Sequence, residues 1–150
     1  MDKILIQTND FDLTTEVKLA KANNSSIGAV VSFVGTVRDL QPKTLSSMTL
    51  EHYPGMTEKS LELIVKKARD KWEIENVTII HRIGTLDVND QIVLVITTSK
   101  HRQEAFNSCN FIMDFLKTDA PFWKKEVTEN NEEWVEARSK DEKQKKRWKS

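Results

Sequence analysis

Gly28-Ala-Val-Val-Ser-Phe-Val-Gly-Thr-Val-Arg38 is the strongest strand signal in the chain, rich in β-branched residues and carrying glycines near both ends. Gly35, inside it, predicts a bulge or a close backbone approach. Around this strand the pattern changes period repeatedly. Lys3–Thr8 reads as a short strand, and Leu13–Ala22 as a helix capped by Asp12. Asp39–Ser47 reads as a mobile loop, after which Met48–His52 resumes extended structure and Pro54-Gly55 turns the chain. A helix follows from about Thr57, its expected N-cap, to Trp72, with Leu61, Ile64, Val65, Ala68 and Trp72 on one apolar face.

Val77–Ile83 and Gln91–Thr98 are two further strands, expected to form a hairpin across Gly84–Asp90. Ser99 is placed to cap a helix over His101–Lys117, whose Ala105, Cys109, Ile112, Met113 and Leu116 mark its buried side. Strands and helices mix without strict alternation, which argues for an α+β or partly wound α/β fold. The 150 residues suit one domain that buries roughly two-thirds of its unfolded surface, with no internal repeat or linker.

Composition narrows the chemistry. Twenty-three basic residues balance 23 acidic ones, so no overall field draws in nucleic acid or an anionic membrane. Cys109 is the only cysteine, which excludes an internal disulfide and a multi-cysteine metal site. Its helical position makes it a core residue and not a reactive thiol. The start lacks the form of a signal peptide and no stretch approaches a membrane span, so a cytoplasmic protein is expected. The segment 139–150 is a basic tail of net charge +4, the usual composition of a solvated end. Trp148 within it is the one sign that the tail docks somewhere.

The chemistry-bearing residues cluster around Lys117-Thr-Asp-Ala-Pro-Phe-Trp-Lys-Lys-Glu126. Pro121 cannot continue a helix and biases Ala120 toward extended geometry, so Lys117 closes the helix and Lys124 lies a short way beyond. Two amines can then converge on one spot. An ammonium beside other cations and against Phe122 or Trp123 loses its proton more readily, and a lysine so tuned serves as nucleophile or general acid/base. The ordinary alternative is that Lys117 complements the helix end and that Lys124 and Lys125 are solvated. Asp119 is an acid placed to raise the pKa of Lys117.

Arg38, His101, Arg102 and Arg138 fall at the ends of expected elements, a set that would suit a phosphate. Taken singly, each also has an ordinary role, such as Arg38 paired with Asp39 or Glu51. His52 and His81 lie inside expected strands and read as satisfied structural histidines, since no cysteines or acids stand at ligand spacing.

Six segments, in order, resemble the large, catalytic subunit of molybdopterin synthase. They are Gly28–Asp39, Leu50–Lys59, Ile80-His-Arg-Ile-Gly84, Ser99-Lys-His-Arg102, Phe115–Glu126 and Trp134-Val-Glu-Ala-Arg138, within a domain spanning 1–138. The resemblance implies an α/β hammerhead-type fold with an added small antiparallel sheet. It implies a homodimer of this chain, the core of a heterotetramer with a ubiquitin-like small subunit at each end. The small subunit's C-terminal Gly-Gly thiocarboxylate would give sulfur to cyclic pyranopterin monophosphate, and two transfers would make the dithiolene of molybdopterin.

By the same match Lys117 and Lys124 would be catalytic. Arg38, His101, Arg102 and Arg138 would hold the pterin phosphate and the partner's tail, while Thr36, Val37, Lys125 and Glu126 would shape the same site. No resident cofactor or metal is implied. Two rival classes are a non-enzymatic phosphate- or RNA-binding module, which would need a broad basic strip with interleaved aromatics, and a Schiff-base lysine enzyme acting without a partner.

Overall fold

The computed structural model describes residues 2–39, 45–128, 132–135 and 148. Among them are β1 (Asp2–Gln7), α1 (Leu13–Lys21), β2 (Ala29–Thr36), β3 (Leu45–His52), α2 (Met56–Lys71), β4 (Asn76–Arg82), β5 (Gly84–Leu86), β6 (Gln91–Ser99), α3 (Arg102–Thr118), β7 (Phe122–Thr128) and β8 (Glu132–Val135). The strands make two four-stranded sheets, in the orders β1-β4-β6-β2 and β5-β3-β7-β8. The α+β class expected from the pattern is the class observed.

The first sheet is mixed. β1 pairs parallel with β4, while β4 and β2 both pair antiparallel with β6, so the antiparallel pairing expected of the two central strands is present. Gly84–Asp90 is no simple hairpin loop, however, since Gly84–Leu86 leaves it as β5 of the second sheet. The near-continuous apolar runs of β4 and β6 follow from this central position, which buries both of their faces. Helices α2 and α3 cover one face, where Leu61, Ile64, Val65, Ala68, Phe111, Ile112 and Leu116 meet Val77, Ile79, Val93 and Val95. Helix α1 covers the other, bringing Phe11 and Ala20 to Ile80, Leu94 and Ile96. The register of β2 against β6 shifts between Gly35 and Thr36, the irregularity that Gly35 foretells. A Cβ there would lie 2.9 Å from Val93 Cγ1, so a larger residue has no room.

The second sheet is wholly antiparallel and is reached directly from the first. After β4, Ile83 and Gly84 (φ +89°) turn the corner into β5, and a β-carbon at that φ would be strained. Val37, Met48, Leu50 and Leu86 form the separate small core of this sheet.

Three capping and boundary expectations need correction. Helix α2 begins at Met56 with Gly55 as N-cap, its N–H held by the Glu58 carboxylate at 3.2 Å. Thr57 is therefore inside the first turn and fully buried. Ser99 ends β6 and donates to Glu73 O at 2.8 Å, so it does not cap α3, whose N-cap is His101. Strand β3 starts at Leu45, three residues before the expected Met48, because β3 pairs with β7 as far as Thr128. Most of the loop expected over Asp39–Ser47 and most of the basic tail lie outside the described residues, as does Arg138.

Trp148 is described, and it is docked. Its indole stands edge-on to Trp72 and Phe111, with centroids at 5.5 and 5.7 Å, and its Nε1–H donates to the Asp114 carboxylate.

Candidate active site

Helix α3 ends with Asp119, whose N–H bonds to Phe115 O at 2.7 Å, and Ala120 N–H reaches the same carbonyl at 3.4 Å. Phe122 N–H then donates to Ala120 O at 2.8 Å across Pro121, a three-residue turn that sends the chain straight into β7. Proline cannot continue the helix, so the sequence itself dictates this corner. A second bond fixes it from outside: Thr57 Oγ1 donates to Pro121 O at 3.0 Å and accepts from Tyr53 N–H at 2.9 Å. Lys117 and Lys124 sit on either side of this rigid corner, the first exposed on the last turn of α3, the second half-buried in β7.

Strand β7 is interior to its sheet, with Lys124 opposite Leu50 on β3 and Val135 on β8. Side chains alternate along a strand, so Phe122, Lys124 and Glu126 share one face and Trp123, Lys125 and Val127 the other. Buried Leu50 and Met48, opposite Lys124 and Glu126, identify the first face as the inner one. Lys125 is thereby turned away from Lys124. Its Nζ lies 3.7 Å from Glu132 and 5.8 Å from the centroid of Trp134, a role on the outer surface.

Beneath Lys124 lies His81, near the end of β4 and only 4% exposed. Its ring stacks on Phe122 at 3.8 Å and 14°. Nδ1 is 2.8 Å from Arg82 O; a carbonyl only accepts, so Nδ1 carries the proton and the neutral ring presents a bare Nε2. Burial pushes its pKa down to about 4 against an opposing pull from that carbonyl, with the charges of Lys124 and His52 lowering it further.

The remaining expected site residues fall into two groups. Arg38 is exposed just beyond β2, at the end of the first sheet where β6 begins with Gln91, and helix α3 runs back along that sheet to bring Lys117 to the same end. Val37, next to Arg38, is buried in the small core, and its N–H and C=O bond to Asp90 and Asn89. It therefore supports Arg38 from behind and offers no atom to a ligand. Thr36 is exposed at the end of β2.

His101 and Arg102 lie at the opposite end, where α3 starts. They border an open depression of about 430 Å³ together with Gly28, Lys100 and Gln103. Gly28 is required there: a Cβ would meet Lys100 O at 2.3 Å. From Arg102 to Lys117 the helix rises roughly 22 Å, so one chain does not bring this pair to its own lysines. Arg138 lies outside the described residues.

Cys109 is buried in the face of α3 that packs on α2 and the sheet, and burial pushes its thiol up to about 12. A thiol so protonated is not a nucleophile. Among the described residues no cluster of three or more His, Cys, Asp or Glu is placed to hold a metal, and no helix is long and apolar enough to cross a membrane.

What sequence reading missed is the corner's support. Thr57 reads as a cap and His81 as an ordinary structural histidine, yet both hold the segment between the lysines. The available signals are Glu58 three residues after Gly55, which lets Gly55 serve as the cap, and the place of the histidine near the end of a strand just before a Gly turn.

A family model described as MoaE protein matches residues 6–119. The chain is 52% identical to the molybdopterin synthase catalytic subunit of Ralstonia nicotianae, over 99% of this chain and 85% of that one. Its fold matches that of the molybdopterin biosynthesis MoaE protein from Burkholderia ambifaria with a TM-score of 0.85 at 55% identity, covering 99% and 98% of the two chains. A complex of subunits 1 and 2 of molybdopterin-converting factor from Helicobacter pylori shares the fold alone, with a TM-score of 0.73 at 22% identity over 92% of each chain. A family model spanning most of the chain and a relative more than half identical over nearly all of it carry one conclusion: the chain belongs to the MoaE protein family.

Proposed function

We propose that this chain is the catalytic subunit of a molybdopterin synthase, moving sulfur from the thiocarboxylated Gly-Gly terminus of a ubiquitin-like small subunit to cyclic pyranopterin monophosphate. The observation that carries the reading is the pair Lys117 and Lys124 on either side of the Ala120–Phe122 turn, in a chain of this family. Each transfer forms one C–S bond on the pterin in place of a C–O bond, whose oxygen leaves on the phosphate or as water. The C–S bond to the partner's acyl carbon is then hydrolysed, water supplying the oxygen of the carboxylate left behind. Such a step needs a cation at the developing oxyanion and a group to take a proton. Two amines held on a stiff corner supply both.

Arg38 stands on the lysine side and would take the pterin phosphate with its planar fork. His101 and Arg102 stand roughly 22 Å away along α3, so their part in the same pocket requires a second copy of the chain. A homodimer in which the partner's α3 N-terminus completes each site reconciles all of these residues, with one small subunit at each end of the resulting heterotetramer. Lys125, turned outward beside Trp134, would serve the surface and not the pocket. No resident cofactor enters this scheme, and its place of action is the cytoplasm.

The reading is tested by mixing the purified chain with a thiocarboxylated ubiquitin-like partner and the cyclic pterin. The expected product is a dithiolene, formed only when all three are present. Transfer without the partner, or borohydride trapping of a small carbonyl compound on the chain alone, would favour the Schiff-base alternative. Arg38→Ala and Arg102→Ala are expected to raise KM for the pterin more than they lower kcat, since a phosphate contact is present in ground and transition states alike.

A further inference from the structure

We infer that His81 is a positioning residue for Lys124, acting through the Phe122 ring. The inference rests on the catalytic reading of Lys124 above for its consequence, and on the geometry of the two sheets for its substance.

His81 occupies a place that packing alone would fill with an aliphatic side chain. Its neighbours along β4 are Ile79 and Ile80, both essentially sealed from solvent. Burying an imidazole there costs free energy unless its polar atoms are used. The Nδ1–H bond to Arg82 O uses one of them and fixes the rotation of the ring. With its plane so fixed, the ring meets Phe122 nearly parallel, and Phe122 is the first residue of β7. Two residues on, on the same face, is Lys124.

The stack therefore joins the first sheet to the second at the point where β7 begins. Thr57 holds the preceding residue, Pro121, through its carbonyl. These two contacts hold the start of β7 at two successive residues, Pro121 and Phe122, and so fix the strand from which the side chain of Lys124 projects. The groups facing His81 from the elements around it are Lys124 on β7 and His52 on β3, both on the side of a ring that stays neutral. A neutral floor supports an ammonium there without repelling it.

The experiment compares His81→Leu, which keeps apolar bulk but removes ring and donor, with His81→Phe, which keeps a stacking ring. Phe122→Leu breaks the same stack from the other side and serves if His81→Leu does not fold. The first readout needs no reaction: in full-length chain with 13C-methylated lysines, the Lys124 resonance should shift in His81→Leu and Phe122→Leu and return in His81→Phe, while remote Lys66 stays in place. The second is the reconstituted transfer assay, where kcat should fall about tenfold in both leucine variants at unchanged KM, and recover to within about threefold in His81→Phe. A Lys124 resonance unmoved in both folded leucine variants, or a His81→Phe protein as impaired as His81→Leu, overturns the positioning role. Wild-type activity in Lys124→Ala would instead overturn the catalytic reading, and the resonance shifts would still report whether His81 places that amine.

Discussion

Thr57 Oγ1 donates to Pro121 O at 3.0 Å, tying the first turn of α2 to the corner between α3 and β7, 64 residues further along the chain. The same oxygen accepts from Tyr53 N–H, so one buried hydroxyl bridges an amide and a carbonyl 68 residues apart in the chain. Thr57→Val keeps the shape and removes both bonds. The expected loss is about 1–3 kcal/mol, the cost of leaving buried polar groups unpaired. In a domain of this size that lowers Tm by roughly 2–4 °C for each kcal/mol. Thr57→Ser should stay close to wild type. An unchanged melting temperature in the valine variant would mean the corner is held by other means.

The docked indole of Trp148 gives a second expectation. Its ring closes the apolar face that Trp72 and Phe111 present, and its N–H meets the Asp114 carboxylate. Trp148→Ala should cost about 2 kcal/mol, less than a fully buried aromatic because the residue is half-exposed. A chain ending at residue 147 should melt at the same temperature as Trp148→Ala. If the truncated chain melts like the wild type, the tail contributes nothing to the fold.

His81 predicts how stability responds to acid. Its pKa is about 4 when folded against 6.5 for the free side chain, so below pH 6.5 the unfolded chain binds a proton that the folded one refuses. This contribution is fully present above pH 6.5 and is lost as pH falls from there toward 4, by about 3 kcal/mol in all. In His81→Phe the slope of unfolding free energy between pH 6.5 and 4 should be shallower by up to one proton. Equal slopes in the two proteins would show that the imidazole is not held neutral.

The separation of Arg102 from Lys117 along α3 makes a prediction about mixed dimers. Lys117→Ala and Arg102→Ala chains, each impaired alone, should regain activity when mixed and allowed to exchange subunits. A dimer of one of each has one site with both residues intact, so about a quarter of all sites recover. A mixture no more active than its components would place His101 and Arg102 outside the shared pocket.

Much of this architecture is legible in the residues themselves. The β-branched run of β2, the apolar faces of α2 and α3, and the break at Pro121 are local signals, and local physics decides them. Gly35 even marks the register shift in β2. What could not be read is what depends on distant pairing. Ser99 has the chemistry of a cap, but strand β6 continues through it and its hydroxyl is taken by Glu73 O. Lys125 and Lys124 look alike in sequence, and only the face that β3 buries separates them. His101 and Arg102 sit on the same helix as Lys117, yet a helix of that length holds its two ends apart. Thr57 and His81 belong to the corner through contacts 64 and 41 residues away, which no periodicity records.

The central claim is that the two lysines beside the Pro121 corner do the chemistry. It is tested most directly by single-turnover sulfur transfer from a saturating thiocarboxylated partner to the cyclic pterin, with Lys117→Ala and Lys124→Ala compared against the wild-type chain. Lys117→Ala should fold normally, since an exposed helix-terminal lysine contributes only about 0.3–1 kcal/mol. Lys124 is half-buried in β7, so the melting temperature of Lys124→Ala is measured alongside its rate. The account predicts that transfer nearly vanishes in Lys117→Ala and falls at least about a hundredfold in Lys124→Ala, the scale on which acid–base groups act. Transfer at the wild-type rate in both folded variants would contradict it.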